Sequence, residues 1–182
     1  MKRKIAAIFA ADIAGYSRLV AEDEEETLRR LASYRQVTDD FIAKSGGRIF
    51  NTAGDSILAE FPSAVEAVRC ATEIQAALRT RNEHLPDEQR MWFRIGINLG
   101  DVIVQGGDLL GDGVNVAARI QTIAEPGGVC ISGSVYDQIR NKLTLQIKQL
   151  GERSFKNIAQ PVRTFSIEST TSWPEITRPK TA

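Results

Sequence analysis

Apolar residues change their period several times along the chain, and each change marks an element. Residues 4–11, "KIAAIFAA", are nearly continuous in apolar side chains, which predicts a strand covered on both faces. The acidic run "EDEEE" then opens a stretch with Leu28, Leu31, Tyr34 and Phe41 at helical spacing, closed by Gly46-Gly47. Two short apolar runs, 48–50 and 57–61, flank Gly54-Asp55 as the arms of a β-hairpin. Ser63 and Glu66 have capping-box spacing, and Ala64, Ala67, Val68, Ala71, Ile74 and Leu78 form one face of the helix behind them.

After the polar loop "RNEHLPDEQR", residues 91–98 and 102–104 read as strands around a turn at Leu99-Gly100-Asp101. "GGDLLGDG" leads into a helix over 114–123 that ends at Pro126-Gly127-Gly128. A strand over 129–132, a helix near 135–141 and strands near 145–149 and 162–168 complete the pattern. The order β-α-β-β-α-β predicts an α+β fold: a ferredoxin-like palm core with an antiparallel sheet, helices on one face and extra C-terminal strands. The stretch 1–168 reads as one domain, and "STTSWPEITRPKTA", at 169–182 after Glu168, is a polar tail or linker.

Composition narrows the partners. At 182 residues the chain can bury one substantial core, and 23 basic residues balance 23 acidic ones. No overall basic field argues for nucleic acid or an acidic membrane surface. Cys70 and Cys130 sit in apolar settings and read as core residues, which suits a reducing cytoplasm. The opening "MKRKIAAIFAA" mimics a signal peptide, but Asp12 interrupts the apolar run, and no run approaches the length of a membrane span.

Two aspartates then stand out. Asp12 closes the first strand and Asp55 lies in the hairpin, so antiparallel pairing of neighbouring strands can carry both carboxylates to one end of a sheet. A pair of hard oxygen donors suits Mg²⁺ or Mn²⁺, which keep positions for substrate phosphates. An isolated aspartate in a turn is, by contrast, ordinary turn chemistry.

Several spaced motifs decide between these readings. "AIFAADIAGYS" and "NTAGDSILAEF" resemble the two metal motifs of class III nucleotidyl cyclases, the adenylyl and guanylyl cyclase family, and the likeness is greatest to bacterial adenylyl cyclases. "RIGINLGDVIVQGGDLLGDGVNVAARIQTIAEPGGVCIS" is similar to that family's glycine-flanked hairpin, substrate loop and catalytic helix, and "LGERSFKNIAQPVRTF" to its closing segment. The resemblance runs from about residue 4 to 168. It implies conversion of ATP to 3′,5′-cyclic AMP and pyrophosphate with two Mg²⁺ or Mn²⁺ ions per site.

The resemblance also assigns residues. Asp12, Asp55 and the Ile13 carbonyl would bind the metals, and backbone N–H groups of Ala14, Gly15, Tyr16 and Ser17 would face the β and γ phosphates. Lys156 occupies the place of a lysine that touches the triphosphate. Asn115 and Arg119, four apart and so on one helix face, would orient the ribose and stabilise the transition-state charge. Asp108 matches the position that accepts from the adenine amino group. Asp112 reads as a helix cap and Asp101 as a turn residue. In this family the metal carboxylates come from one subunit and the base-reading and transition-state residues from its partner. A homodimer with shared sites is therefore implied, and a regulatory domain fused in a longer parent protein is common among such chains.

One position departs from the pattern. Asn51 stands where adenylyl cyclases usually carry the lysine of a Lys-x-x-Gly-Asp motif, and its amide can donate to adenine or accept from guanine. Relaxed or GTP specificity is therefore an alternative, as is a nucleotide-binding regulatory or dimerisation module without turnover. The signature of diguanylate cyclases, Gly-Gly-Asp/Glu-Glu-Phe, is absent.

Overall fold

Eight strands and five helices organise the described residues: β1 (Lys2–Ile13), α1 (Tyr16–Glu22), α2 (Glu24–Lys44), β2 (Arg48–Ala53), β3 (Ser56–Phe61), α3 (Ala64–Glu83), β4 (Phe93–Gln105), β5 (Asp108–Leu110), α4 (Asp112–Ile123), β6 (Val129–Ser132), α5 (Gly133–Ile139), β7 (Gln146–Arg153) and β8 (Val162–Glu168). They are seen in a computed structural model that describes residues 2–168; the tail expected at 169–182 lies outside the described residues. The strands form one sheet in the order β2-β3-β1-β4-β6-β8-β7, with β5 paired to β4. All pairings are antiparallel except β4 with β6.

β1 is central because both of its faces are apolar. Ala7, Phe9, Ala11 and Ile13 point into the main core, where α2, α3 and α5 contribute Leu31, Tyr34, Ile42, Val68, Ile74 and Val135. Ala6, Ile8 and Ala10 point the other way and meet Val114 and Ala117 of α4. Truncating a fully buried member such as Ile74 to alanine would cost about 2–5 kcal/mol. The α3 face read from the sequence is buried throughout, and Ser63 caps it by accepting from the Glu66 N–H at 3.2 Å.

The α+β architecture follows the expectation, and three helices share one face as it requires. Tyr16 and Leu19 of α1 pack on that face too, but α4 lies on the opposite one, which corrects the expectation of helices on one face alone. Glycine explains why: a Cβ at Gly96 would stand 2.3 Å from the Gln121 nitrogen and 2.7 Å from the Ala117 oxygen, so only a bare strand lets the α4 backbone approach this closely.

The same packing corrects the turn expected at Leu99-Gly100-Asp101. β4 runs straight through it, and a Cβ at Gly113 would meet the Asp101 oxygen at 2.6 Å. Asp101 is thus a strand residue opposite Ile5, ion-paired to Arg3 at 2.7 Å. Asp112 does not cap α4; Gly111 holds that position, without a side-chain bond, and Asp112 is the first helical residue. In α2 the buried side chains are Thr27, Leu31, Tyr34, Thr38 and Ile42, whereas Leu28 is exposed. Asp23 separates the short α1 from α2 by accepting from the Glu26 N–H at 3.1 Å.

A buried polar triangle ties the helices to the start of β4. The Tyr34 hydroxyl donates to Asn82 Oδ1, Asn82 Nδ2 donates to the Met91 carbonyl at 2.9 Å, and the Met91 N–H donates to the Tyr34 oxygen at 3.2 Å. Each member is satisfied, so the network fixes the register of α2 and α3 on the sheet instead of weakening the core.

Candidate active site

The hairpin register brings the two aspartates together. Ala11 of β1 faces Ile57 of β3, so the β2–β3 turn that carries Asp55 hangs beside the end of β1. There the Ile13 N–H donates to Asp55 Oδ2 at 2.8 Å. Burial pushes the Asp55 carboxyl above its ordinary value; the Ile13 N–H opposes that shift, and the Asp12 charge adds to it. The two carboxylates therefore share one local field.

Asp12 has a partner that the sequence reading missed. Arg94, opposite it in β4, donates from Nε to Oδ1 at 3.0 Å and from Nη2 to Oδ2 at 2.8 Å. The available signal was a single arginine between Phe93 and Ile95 in an otherwise apolar strand. Its third contact, Nη1 to the Thr122 carbonyl at 3.4 Å, reaches α4.

This donor set fits a hard divalent cation. Asp55 is held in a position unfavourable for its own charge, and, among the described residues, the one guanidinium at the site, that of Arg94, is bonded to Asp12, so two carboxylates face a single cationic side chain. Among the described residues no three His, Cys, Asp or Glu side chains gather to complete a cage. A cation here would draw its remaining ligands from a backbone carbonyl such as that of Ile13, from water and from substrate oxygens, as Mg²⁺ commonly does.

The segment after β1 supplies backbone donors. Gly15 takes a left-handed conformation with φ 69° and leads into α1. One expected donor is spent: the Ala14 N–H bonds the Trp92 carbonyl at 2.8 Å, leaving Gly15, Tyr16 and Ser17 in the helix's first turn. Tyr16 stands close enough to Asp55 that, after burial, this carboxylate is the next cause raising its phenol pKa.

A second group lies on α4 and its surroundings. Val116, Ala117 and Ile120 are buried, while Asn115 is exposed and Arg119 half-buried, without an ion pair among the described residues. Lys156 is exposed on the β7–β8 loop, which Phe155 and Ile158 anchor to the cluster containing Val116 and Ile120. Asn51 is exposed on β2 opposite Leu58, just past a bulge, and Asp108 begins β5 with Oδ1 accepting from the Leu109 N–H at 2.9 Å. Arg48 links these two regions by donating to the Gly107 carbonyl at 2.8 Å. No hydrogen bond or ion pair joins Asp12 or Asp55 to Asn115, Arg119, Asn51, Asp108 or Lys156 among the described residues.

The candidate residues thus fall into two groups with no direct bond between them among the described residues, and comparison with known proteins gives them a context. Residues 2–169 match the family model described as the adenylate and guanylate cyclase catalytic domain. The chain belongs to this family. A relative named putative adenylate cyclase 3, from Rhizobium meliloti (strain 1021), is 42% identical over 91% of this chain and 28% of its own length. An adenylate cyclase of Streptomyces coelicolor is 33% identical over 75% of this chain and 34% of its own length. The chain spans about a third or less of these relatives. Among solved cyclase structures, the adenylate/guanylate cyclase/hydrolase from Silicibacter pomeroyi superposes with TM-score 0.86 at 44% identity, covering 91% of this chain and 97% of that one. The adenylyl cyclase CyaB of P. aeruginosa shares the cyclase fold at TM-score 0.80 and 23% identity, covering 93% and 96%. No helix among the described residues of this cyclase domain is long and apolar enough to cross a membrane.

Proposed function

We propose that this cyclase domain converts ATP to 3′,5′-cyclic AMP and pyrophosphate at sites shared between two copies of the chain. The observation that carries this reading is the approach of Asp12 and Asp55 at the end of β1, beside the Gly15 turn, with no hydrogen bond or ion pair from either carboxylate to Asn115 or Arg119 among the described residues. The names of the relatives at 42% and 33% identity support ATP as the substrate.

In the reaction the ribose 3′ oxygen bonds to the α-phosphorus, the bond from the α-phosphorus to the bridging oxygen breaks to release pyrophosphate, and the hydroxyl proton passes to solvent water. When bound, two Mg²⁺ or Mn²⁺ ions would lower the cost of the 3′ alkoxide and neutralise the triphosphate. Asp12, Asp55 and the Ile13 carbonyl would hold these ions. The N–H groups of Gly15, Tyr16 and Ser17 would bind terminal phosphate oxygens, with Lys156 adding a charge. The partner copy's face would complete the site: Asn115 would fix the ribose, and Arg119, which has no ion pair among the described residues, would meet the charge that grows on the α-phosphoryl oxygens. Asp108 would accept from the adenine amino group.

The stretch 1–168 is the catalytic domain in this reading and 169–182 a polar tail or linker; since the chain spans 28% and 34% of the relatives' lengths, a regulatory domain fused in a longer parent protein fits the same reading. Cys70 and Cys130 are free and buried, their thiols pushed up to about 11 by desolvation, which suits a cytoplasmic setting.

Incubating the purified chain with ATP or GTP and Mn²⁺ or Mg²⁺ tests the reading, with Asp12→Ala as control. Cyclic AMP from the unaltered chain and none from the control is the expected result; no cyclic product from a verified dimer would favour a binding module without turnover.

A second reading, relaxed or GTP specificity, is favoured by Asn51, whose exposed amide can serve as donor or acceptor. Under the ATP reading, Asn51→Lys raises the preference for ATP over GTP. An unchanged ratio would mean that Asn51 does not read the base.

A further inference from the structure

A second cationic site lies in the crevice between α2, α3 and the turn at Asp87–Gln89, away from both groups of candidate residues. It is a cleft of about 210 Å³ lined by Arg29, Arg30, Ser33, Tyr34, Arg81 and Gln89. Three guanidinium groups face it, and one carboxylate, Glu26, serves two of them: it pairs with Arg29, and with Arg30 at 3.1 Å. Arg30 also donates to the Glu88 carbonyl at 3.0 Å.

Arg81 is the unbalanced member. It donates from Nη2 to the Ser33 hydroxyl and lies over the Tyr34 ring, 4.8 Å from its centroid. Its Nε is buried without a hydrogen-bond partner, and no carboxylate pairs with it among the described residues. A buried donor on a cation with no anion is costly unless a ligand satisfies it. The crevice thus combines three arginines, two of which share Glu26, with a hydroxyl and an amide, while the unmet Arg81 Nε is enclosed behind its lining.

From this we infer that the crevice binds a phosphate group, as inorganic phosphate or as the terminal group of a small phosphomonoester. Planar guanidinium forks match the oxygens of such an anion in pairs, and Ser33 and Gln89 supply neutral donors beside them. Occupancy would draw Arg81 toward the ligand and alter its stacking on Tyr34. That residue belongs to the Tyr34–Asn82–Met91 triangle. Next to Met91, the Trp92 carbonyl accepts from the Ala14 N–H at 2.8 Å. The crevice is therefore joined through a short run of hydrogen-bonded backbone to the turn beside Asp12. This link matters for turnover only if the cyclase reading holds; binding in the crevice stands without it.

The test is a titration of the folded chain followed by residue-resolved amide NMR, with inorganic phosphate in one arm and ribose 5-phosphate in the other. The tighter arm identifies the source of the phosphate. Saturable shifts are expected in α2 and α3 around Ser33 and Arg81, with affinity at least tenfold weaker in Arg81→Gln. Because Arg81 also packs on Tyr34, Arg29→Ser provides a variant at an exposed position that leaves the fold intact, and a loss of threefold or more is expected there. Shifts confined to residues 14–17, or affinities unchanged in both variants, would overturn the proposal. No turnover is read, so failure here is separate from failure of the cyclase assay.

Discussion

Arg94 grips Asp12 with two hydrogen bonds, 3.0 and 2.8 Å long, across the β1–β4 ladder. Both side chains are about three-quarters buried, so the pair is shielded more than a surface ion pair. A cation at Asp12 would compete with this guanidinium for the carboxylate oxygens. Arg94→Met should lower the stability of the metal-free protein by about 1 kcal/mol. It should also tighten Mn²⁺ binding without nucleotide roughly fivefold, since an attached competitor is gone. Calorimetric titration with Mn²⁺ checks this, and weaker binding would show that Arg94 does not compete for the site.

Asp55 carries its charge where burial opposes it. Its folded pKa is raised, first by burial and, after the opposing Ile13 N–H, by Asp12. The stability linked to its protonated form is complete below the ordinary value of 3.8 and is lost as pH rises through the higher folded value. At neutral pH the metal-free protein carries that cost in full. Asp55→Asn keeps an acceptor for the Ile13 N–H and removes the charge, so it should raise the melting temperature, by about 1 kcal/mol of stability, while abolishing turnover. A lower melting temperature across pH 5–8 would contradict the assignment.

Gly96 sets the seat of α4. A Cβ there would lie only 2.3 Å from the Gln121 nitrogen, so Gly96→Ala must push the helix off the sheet. Overpacking of this kind costs about 1–3 kcal/mol. The displacement should carry Asn115 and Arg119 with it and reduce kcat more than KM. A variant with full kcat would show that the position of α4 is not limiting.

Much of this was legible in the chain. The capping pair Ser63 and Glu66, the apolar stripe of α3 and the doubly covered β1 follow from periodicity and cap chemistry, which act locally. Asp12 and Asp55 were legible because a hairpin register converts sequence spacing into proximity. Other features depend on distant packing. Gly100 looked like a turn signal, yet with Gly113 it lets a strand and a helix touch, and a glycine in the sequence does not distinguish the two uses. Arg94 was hidden because its role exists only in the register that places it opposite Asp12. The Ala14 N–H looked available until β4 brought the Trp92 carbonyl to it. The crevice around Arg81 is assembled from α2 and α3, and no local motif announces it.

The central claim, that two half-sites on one chain make a whole site only between two copies, is tested by mixing inactive chains. Asp55→Ala lacks the metal half and Arg119→Ala lacks the transition-state half, so neither should turn over alone. Refolded together in equal amounts, they should form heterodimers, each with one intact site, and cyclic AMP synthesis should return to about a quarter of the wild-type rate, because half the dimers are mixed and each carries one of two sites. No recovery, with heterodimer formation confirmed by mass, would contradict the shared site.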